Sequence, residues 1–377
     1  MTMPNTGMAS GMLNAETIDR IIRLRGDGLP ITSVYVDVVD KGGVVAKVSS
    51  MLHEVRPLAE SEDLDRTARL SVRDDLDRIE HEIALGDWRN SAAVAFFSCS
   101  GREWFEWVGL PHRVADRVVV DTTPWVRPML AVLDEYHRTL VVVTTRREAR
   151  LWALYQDEIE EREQLRDPVT PELDDHRDEE LDRRHFRRVV GTVHDLWRAE
   201  EFEVLVLGGV RAEIAQLVEM LPKKLEDRIA GEFRVDLDRA TDASVREEAN
   251  QVVERYERAQ ERRQVEETVE MHAAGGLAAV GLRDCLWAGA TAAVDLLLVQ
   301  EDVMTPGVVC DENHWLATEG TTCPLCGRKL RRTPDVLDEL VESVINEAGS
   351  VEHVRADTPL RDHVVAAQLR FPLPPFA

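Results

Sequence analysis

Near the C-terminal end of the chain, Cys310, His314, Cys323 and Cys326 form the pattern C-D-E-N-H…C-P-L-C-G. Three of the five cysteines fall in this window. Two thiolates separated by two residues can grip one tetrahedral ion, and the glycine of Cys323-Pro324-Leu325-Cys326-Gly327 lets backbone N–H groups turn towards the sulfurs. Cys310 and His314 are the expected partners from the other half, giving a four-ligand zinc site. Four protein ligands leave no open position for a water nucleophile, so the zinc is expected to be structural rather than catalytic. The competing reading is a set of ordinary buried or disulfide-linked cysteines. Cys99 and Cys285 stand alone and read as buried apolar thiols.

Composition narrows the functional classes. The chain has 377 residues, enough for two or three domains, with 44% hydrophobic and 31% charged residues. A formal net charge of -25 argues against a protein that coats nucleic acid non-specifically, DNA included, because phosphate binding needs local positive charge. Any RNA contact must use basic islands in an acidic body. No apolar run approaches the roughly 20 residues that span a bilayer. Met1–Leu13 lacks a basic region followed by an apolar core, so it does not read as a signal peptide. Few cysteines, clustered for metal, fit a reducing cytoplasm.

Three α/β units follow from the hydrophobic patterning. In the first, Ile31–Val38 alternates as a strand. Arg66–Ala84 has helical spacing of Leu70, Val72, Leu76, Ile79 and Ile83, and 91–98 and 103–108 read as strands around Ser100-Gly101. The second begins near Pro124. It has a helix over 128–135, strands over 140–144, 150–155 and 157–164, a polar stretch to Asp178 and a helix over 179–200. A buried strand over 202–207 and a helix from Ala212 follow, then a strand over 233–237 and a long charged helix over 244–271 whose apolar side carries Val252, Val253, Tyr256, Val265 and Val269. The third has a helix over 281–289, a strand over 293–299, the cysteine insert, a helix over 334–348 and a strand over 350–355. A turn or helix over 363–367 precedes a last strand from Gln368. This order predicts a three-layer α/β/α domain.

The stretch Pro128–Leu165, the run Gly281-Leu282-Arg283-Asp284 through Val294-Asp295-Leu296-Leu297-Leu298-Val299, and the cysteine insert after that strand together resemble the archaeal-eukaryotic class-1 peptide release factor and Pelota family, in its bacterial, Balon-like branch. The resemblance covers nearly the whole chain. It implies an α/β (α+β) fold with a tRNA-mimic, three-domain architecture. An N-terminal α/β domain would span 1–123. A ribonuclease-H-like central domain would span 124–271 and end in a long bridging helix. A C-terminal α/β/α domain, like kink-turn-binding ribosomal proteins, would span 272–377 with the zinc insert at about 306–332. The chain departs from the release-factor pattern in its chemistry. The loop at 166–177, where release factors carry Gly-Gly-Gln, has no glycine and no glutamine, and the stretch near 59–67 is acidic, with no counterpart of the Asn-Ile-Lys-Ser codon-reading motif.

The resemblance therefore implies a non-enzymatic, cytoplasmic, ribosome-binding factor. It would occupy the A site in hibernation or rescue as part of a stress response, with elongation factor Tu as a possible delivery partner and no membrane partner. Two groups of cations are the candidates for ribosomal RNA contact: Arg183, Arg184, Arg187 and Arg188 on the helix after the central loop, and Arg328, Lys329, Arg331 and Arg332 after the second cysteine pair. The alternative for the first group is pairing with Asp178, Glu179, Glu180 and Asp182 on a solvated helix. Arg146, Arg147 and Arg150 at a hairpin read as solubility charges first. Glu312 near the metal, and His176, His185 and His194, form no catalytic pattern. Two other functions stay open: a diverged peptidyl-tRNA or RNA hydrolase using Asp134, Glu135 or Asp157, and a stress adaptor acting away from ribosomes.

Overall fold

The computed structural model describes residues 11–12, 15–39, 43–61, 64–86, 88, 91–134, 136–155, 158–167 and 175–375. They form two compact units: residues 1–134 together with 261–377, and residues 135–260. The fold is mixed α/β, with several sheets.

In the first unit the N-terminal segment contributes β1 (Gly11–Met12), α1 (Ala15–Ile22), β2 (Ile31–Asp37), α2 (Val44–Val55), α3 (Arg66–Leu85), β3 (Ala93–Cys99), β4 (Trp104–Leu110), β5 (Arg117–Asp121) and α4 (Arg127–Asp134). The sheet order is β1-β4-β3-β2-β5. Alternation along β2 and β3 sends Val34, Val36, Val94 and Phe96 to one face, where α2 and α3 cover them with Val48, Leu52, Val72, Leu76 and Ile79. On the opposite face Tyr35 meets Phe97 and Trp125 edge-on. Leu70, expected on the apolar side of α3, is 40% exposed. At 100° per residue it lies far around the helix from Val72 and Ile79, and the polar Asp75 takes a buried place instead. Asp75 accepts from the Thr32 and Ser98 hydroxyls and the Ser100 N–H. The helix α2 and the strand β5 went unread in the sequence.

The second unit holds β6 (Thr139–Thr144), β7 (Glu148–Tyr155), β8 (Glu158–Arg166), α5 (Asp175–Ala199), β9 (Val204–Gly209), α6 (Arg211–Met220), α7 (Lys223–Glu226), β10 (Ile229–Phe233) and the start of α8 (Asp242–Ala273). Its sheet runs β10-β9-β6-β7-β8, with the β6–β7–β8 meander antiparallel and β9 and β10 parallel additions. Strand β6 is buried throughout because both faces are covered. Leu140 and Val142 pack towards α5 and α6, whereas Val141 and Val143 pack towards α8 through Val245, Ala249 and Val252. The strand expected at 233–237 lies earlier, at Ile229–Phe233. It bulges between Ile229 and Gly231, and a Cβ at Gly231 would sit 2.8 Å from Val252. Leu237 belongs instead to a short 3₁₀ turn capped by Asp236.

The rest of the first unit begins within α8 and continues with β11 (Ala278–Val280), α9 (Leu282–Ala290), β12 (Val294–Gln300), β13 (Gly307–Val309), β14 (Leu316–Ala317), β15 (Arg331–Thr333), α10 (Val336–Asn346), β16 (Ser350–Val354), α11 (Leu360–His363) and β17 (Val365–Leu369). The sheet order is β11-β17-β12-β16. Helices α9 and α10 cover one face through Leu286, Leu337 and Leu340. Val265 of α8 and Leu360 of α11 cover the other, giving three layers. The last strand starts at Val365, not Gln368: α11 ends the turn early, and Val364 takes φ 70°.

Within this first unit one buried cation joins the N-terminal segment to α10. Arg127, 2% exposed, pairs with Asp335 and donates to the carbonyls of Val303 and Gln300 at 3.0 and 3.1 Å. Asp335 also accepts from Trp125 Nε1 at 3.2 Å and caps α10 at Leu337 N–H. Asp338 accepts the Arg127 backbone N–H at 3.3 Å. Burial, then the neighbouring Asp335 carboxylate, push the Asp338 carboxyl well above its ordinary range, with Arg127 pulling the other way.

Replacing Arg127 with Met leaves buried carboxylates without their counter-charge. It is expected to cost about 3–5 kcal/mol, read as a lower denaturant midpoint for unfolding. In the second unit His137 sits between Glu203 and Glu257. Burial lowers its pKa, but the two carboxylates outweigh that and raise it from 6.5 to about 10. The stabilisation is therefore complete below pH 6.5 and is lost as pH rises through 10. A His137→Gln variant is expected to show a flatter stability profile across that window in pH-dependent melting.

Candidate metal centre and basic surfaces

The cysteine insert is a small three-stranded sheet, β14-β13-β15, around a core of Trp287, Val308, Cys310, Trp315, Cys323 and Leu330. Cys310 closes β13, and Cys323 and Cys326 lie on the excursion between β14 and β15. Hydrogen bonding shapes that excursion: Gly327 N–H donates to the Cys323 carbonyl at 2.9 Å, and Cys323 N–H donates to the Arg328 carbonyl at 2.7 Å. Gly327 adopts φ 72°, a left-handed turn that favours glycine. The sulfurs of Cys310, Cys323 and Cys326 all lie within 4.8 Å of one another, and Cys310 and Cys326 are 3.5 Å apart. A tetrahedron with metal–sulfur bonds of roughly 2.3 Å has edges of about 3.8 Å, so this spacing fits one ion.

The electrostatics favour thiolates gathered for a cation. Burial raises the Cys323 thiol, but N–H donors from Cys326 and Leu325 and the Asn313 side chain bring it down to about 7. At Cys326 the Arg328 N–H lowers the pKa, yet desolvation and the two neighbouring sulfurs hold it above its usual value. Three thiols this close cannot all ionise without a counter-charge, which a bound cation supplies.

His314 stands apart from the sulfur cluster. Its backbone N–H donates to the Cys310 carbonyl at 2.8 Å and its φ is 55°. Its side chain lines a cavity of about 400 Å³ with Arg25, Arg331, Glu339 and Glu342. The expected fourth ligand is therefore a turn residue whose ring faces acids, because the left-handed turn directs the side chain away from the sulfurs. Glu312 is exposed and pairs with Arg328 at 3.0 Å. Cys99 and Cys285 are buried and free.

The cations divide sharply. Arg331, expected on an RNA-binding surface, is claimed by Asp121 at 2.8 Å, Asp311 at 2.9 Å and Glu339 at 2.7 Å. Burial disfavours its charge, but Glu339 and Asp121 together hold its pKa above the ordinary arginine value. It is a structural cation, and only Arg328, Lys329 and Arg332 of that group are exposed. On α5, Arg183, Arg184, Arg187 and Arg188 are all exposed. Arg188 pairs with Asp167 at 3.0 Å, and Asp182 pairs with Arg147 at 2.9 Å rather than with its own helix. Among the described residues no ion pair engages Arg183, Arg184 or Arg187; the side chain of Asp178 lies outside them. Arg150 is held by Glu161 and Asp242.

His185 is buried against Asp167 at 2.7 Å, and His194 is exposed beside Asp195. The loop over 168–174, Glu135, Asp157 and the side chains of Asp134 and His176 lie outside the described residues. Among the described residues no helix is long and apolar enough to cross a membrane.

Residues 124–254 match the family model of bacterial archaeo-eukaryotic release factor family 10. No curated protein matches the chain. Among solved structures, the archaeal translation termination factor aRF1 is 16% identical over 95% of this chain and 97% of that one, with a TM-score of 0.26. Archaeoglobus fulgidus Pelota is 16% identical over 75% and 80% of the two chains, with a TM-score of 0.37. Dom34 of S. cerevisiae, a translation termination-like factor, is 13% identical over 72% and 75%, with a TM-score of 0.41.

The sequence reading missed Asn313, which approaches Cys323 Sγ to 3.5 Å. The signal was present: aligned on their first cysteines, the two halves place Asn313 opposite Cys326. A strong chelator is expected to lower the melting temperature of the native protein by several degrees, as removal of a structural ion does, and to leave a Cys323→Ser variant unmoved. Calorimetry with and without chelator makes the comparison.

Proposed function

We propose, for a chain whose central segment is of the bacterial archaeo-eukaryotic release factor type, that the protein is a ribosome-binding translation factor acting without hydrolysis. It would enter the ribosomal A site in hibernation or rescue. The central sheet order, with a three-stranded meander and two parallel strands added beside its first, supports a ribonuclease-H-like domain. The three-layered segment after α8 supports a C-terminal domain like kink-turn-binding ribosomal proteins. The insert would be pinned by a structural zinc ion on Cys310, Cys323 and Cys326. The absence of Gly-Gly-Gln anywhere in the chain supports binding rather than peptidyl-tRNA cleavage.

One observation carries this reading: Arg183, Arg184 and Arg187 stand exposed, without ion pairs among the described residues, on the helix that follows the central loop, in a chain of net charge -25. Exposed arginines left unneutralised in so acidic a body are suited to phosphate oxygens, which they meet as forked donors. Elongation factor Tu is the proposed delivery partner and the cytoplasm the proposed compartment.

Tagged protein from starved cells is expected to migrate with 70S particles in a sucrose gradient. The double variant Arg184→Glu/Arg187→Glu is expected to weaken that binding and to reduce its salt slope by roughly 1 for each phosphate that is no longer neutralised. Protein that stays at the top of the gradient in growing and starved cells alike would remove the ribosomal reading.

A further inference from the structure

The two halves of the cysteine insert repeat one hydrogen-bond pattern. Four residues after each leading cysteine, an N–H returns to that cysteine's carbonyl: His314 to Cys310 and Gly327 to Cys323. Five residues on, a carbonyl accepts the cysteine's own N–H: Trp315 for Cys310 at 2.9 Å, and Arg328 for Cys323 at 2.7 Å. The fourth residue is left-handed in both, with φ 55° at His314 and 72° at Gly327. The halves are thus two copies of one turn. In the second copy the side chain three residues after the leading cysteine is Cys326, a sulfur of the cluster. In the first copy it is Asn313.

The equivalence extends to the side chains. The Arg328 N–H is directed at the Cys326 sulfur. Its counterpart, the Trp315 N–H, donates to Asn313 Oδ1 at 3.2 Å. The Asn313 amide lies edge-on to Cys323 Sγ, with Oδ1 at 3.6 Å and Nδ2 at 3.5 Å. An oxygen bound at about 2.1 Å and a sulfur at about 2.3 Å on one tetrahedral ion lie about 3.6 Å apart.

We infer that Asn313 holds the fourth coordination position, so that the site binds a thiophilic divalent cation through three thiolates and one neutral amide oxygen. This rests on the reading that the cysteine cluster holds a metal, and replaces His314 in the ligand set. His314 fills the slot that glycine fills in the other copy, where only the backbone matters, and it lines the adjoining cavity with Glu339 and Glu342, where burial raises the pKa of Glu342 and His314 acts to lower it. An amide oxygen is a harder and weaker zinc ligand than a thiolate. The ion therefore carries one exchangeable position on an otherwise closed site, and is held less tightly than by four sulfurs.

The experiment uses Co²⁺ and Zn²⁺ with the full chain. Thiolate-to-cobalt charge-transfer absorption per bound ion counts the sulfurs, and competition with a chromophoric chelator gives Zn²⁺ affinity. The native protein is expected to bind one ion with a three-thiolate signature. Asn313→Cys is expected to raise the absorption per ion by about a third and to tighten Zn²⁺ about tenfold. Asn313→Asp should keep the three-thiolate signature and bind more tightly, since a carboxylate replaces the amide. His314→Gly should change neither quantity. A His314→Gly variant with altered spectrum and weakened binding, beside an Asn313→Cys variant with unchanged absorption, would overturn the assignment while leaving the metal site standing. A native protein that binds neither ion would overturn both.

Discussion

The buried guanidinium of Arg127 is the group on which the first unit most depends. A charge removed from water is costly unless every donor is used and the charge itself is met. Arg127 comes close to that condition: Asp335 meets its charge and two carbonyls accept from its terminal nitrogens, while its Nε is left without a partner among the described residues. The same Asp335 caps α10 and accepts from Trp125, whose carbonyl in turn accepts from the Tyr35 hydroxyl at 2.8 Å. A chain of polar contacts thus runs from the centre of the N-terminal sheet to the first turn of the C-terminal helix. Because each member satisfies the next, neither segment can move without exposing an unpaired buried group. Arg331, with its three carboxylates, forms a second such lock beside the metal insert.

The insert solves a different problem. Its core contains only a handful of apolar side chains. So small a cluster buries too little surface to fix a three-stranded sheet of very short strands, and cross-linking through a metal is the usual remedy for a segment of this size. The ion would be held at a place the neighbouring lock already positions: β15 begins with Arg331, which binds Asp121, Asp311 and Glu339 at once. Order at the metal and order at the interface between segments of the first unit are therefore coupled through one short strand.

Charge is distributed with the same economy. Many cations among the described residues are engaged by nearby carboxylates, as with Arg150 on Glu161 and Arg147 on Asp182. Arg183, Arg184 and Arg187 of α5 are among the exposed cations that are not. Glu179 and Glu180, four residues before Arg183 and Arg184, form no ion pair with them among the described residues, Asp182 is turned towards Arg147, and the three arginines remain facing solvent.

The amino-acid sequence alone settled the strands marked by alternation or by a β-branched apolar run, such as β2 and β6, the long helices α3, α5 and α8, and the three sulfurs that gather. Each is encoded by short-range periodicity or spacing, which side-chain chemistry fixes locally. It misplaced β10, because a bulge at Gly231 and the exposed Glu232 interrupt the apolar pattern, and it passed over α2, although Val44, Val48 and Leu52 recur at helical spacing. It chose His314 as a ligand by residue type, since a sequence does not display the sign of φ. Only the tertiary structure decided that His314 is a turn, that Asn313 faces the sulfurs, that Arg331 is locked away and that the α5 arginines face solvent. Those outcomes depend on which distant groups compete for one hydrogen bond or one counter-charge, and that competition exists only once the chain is folded.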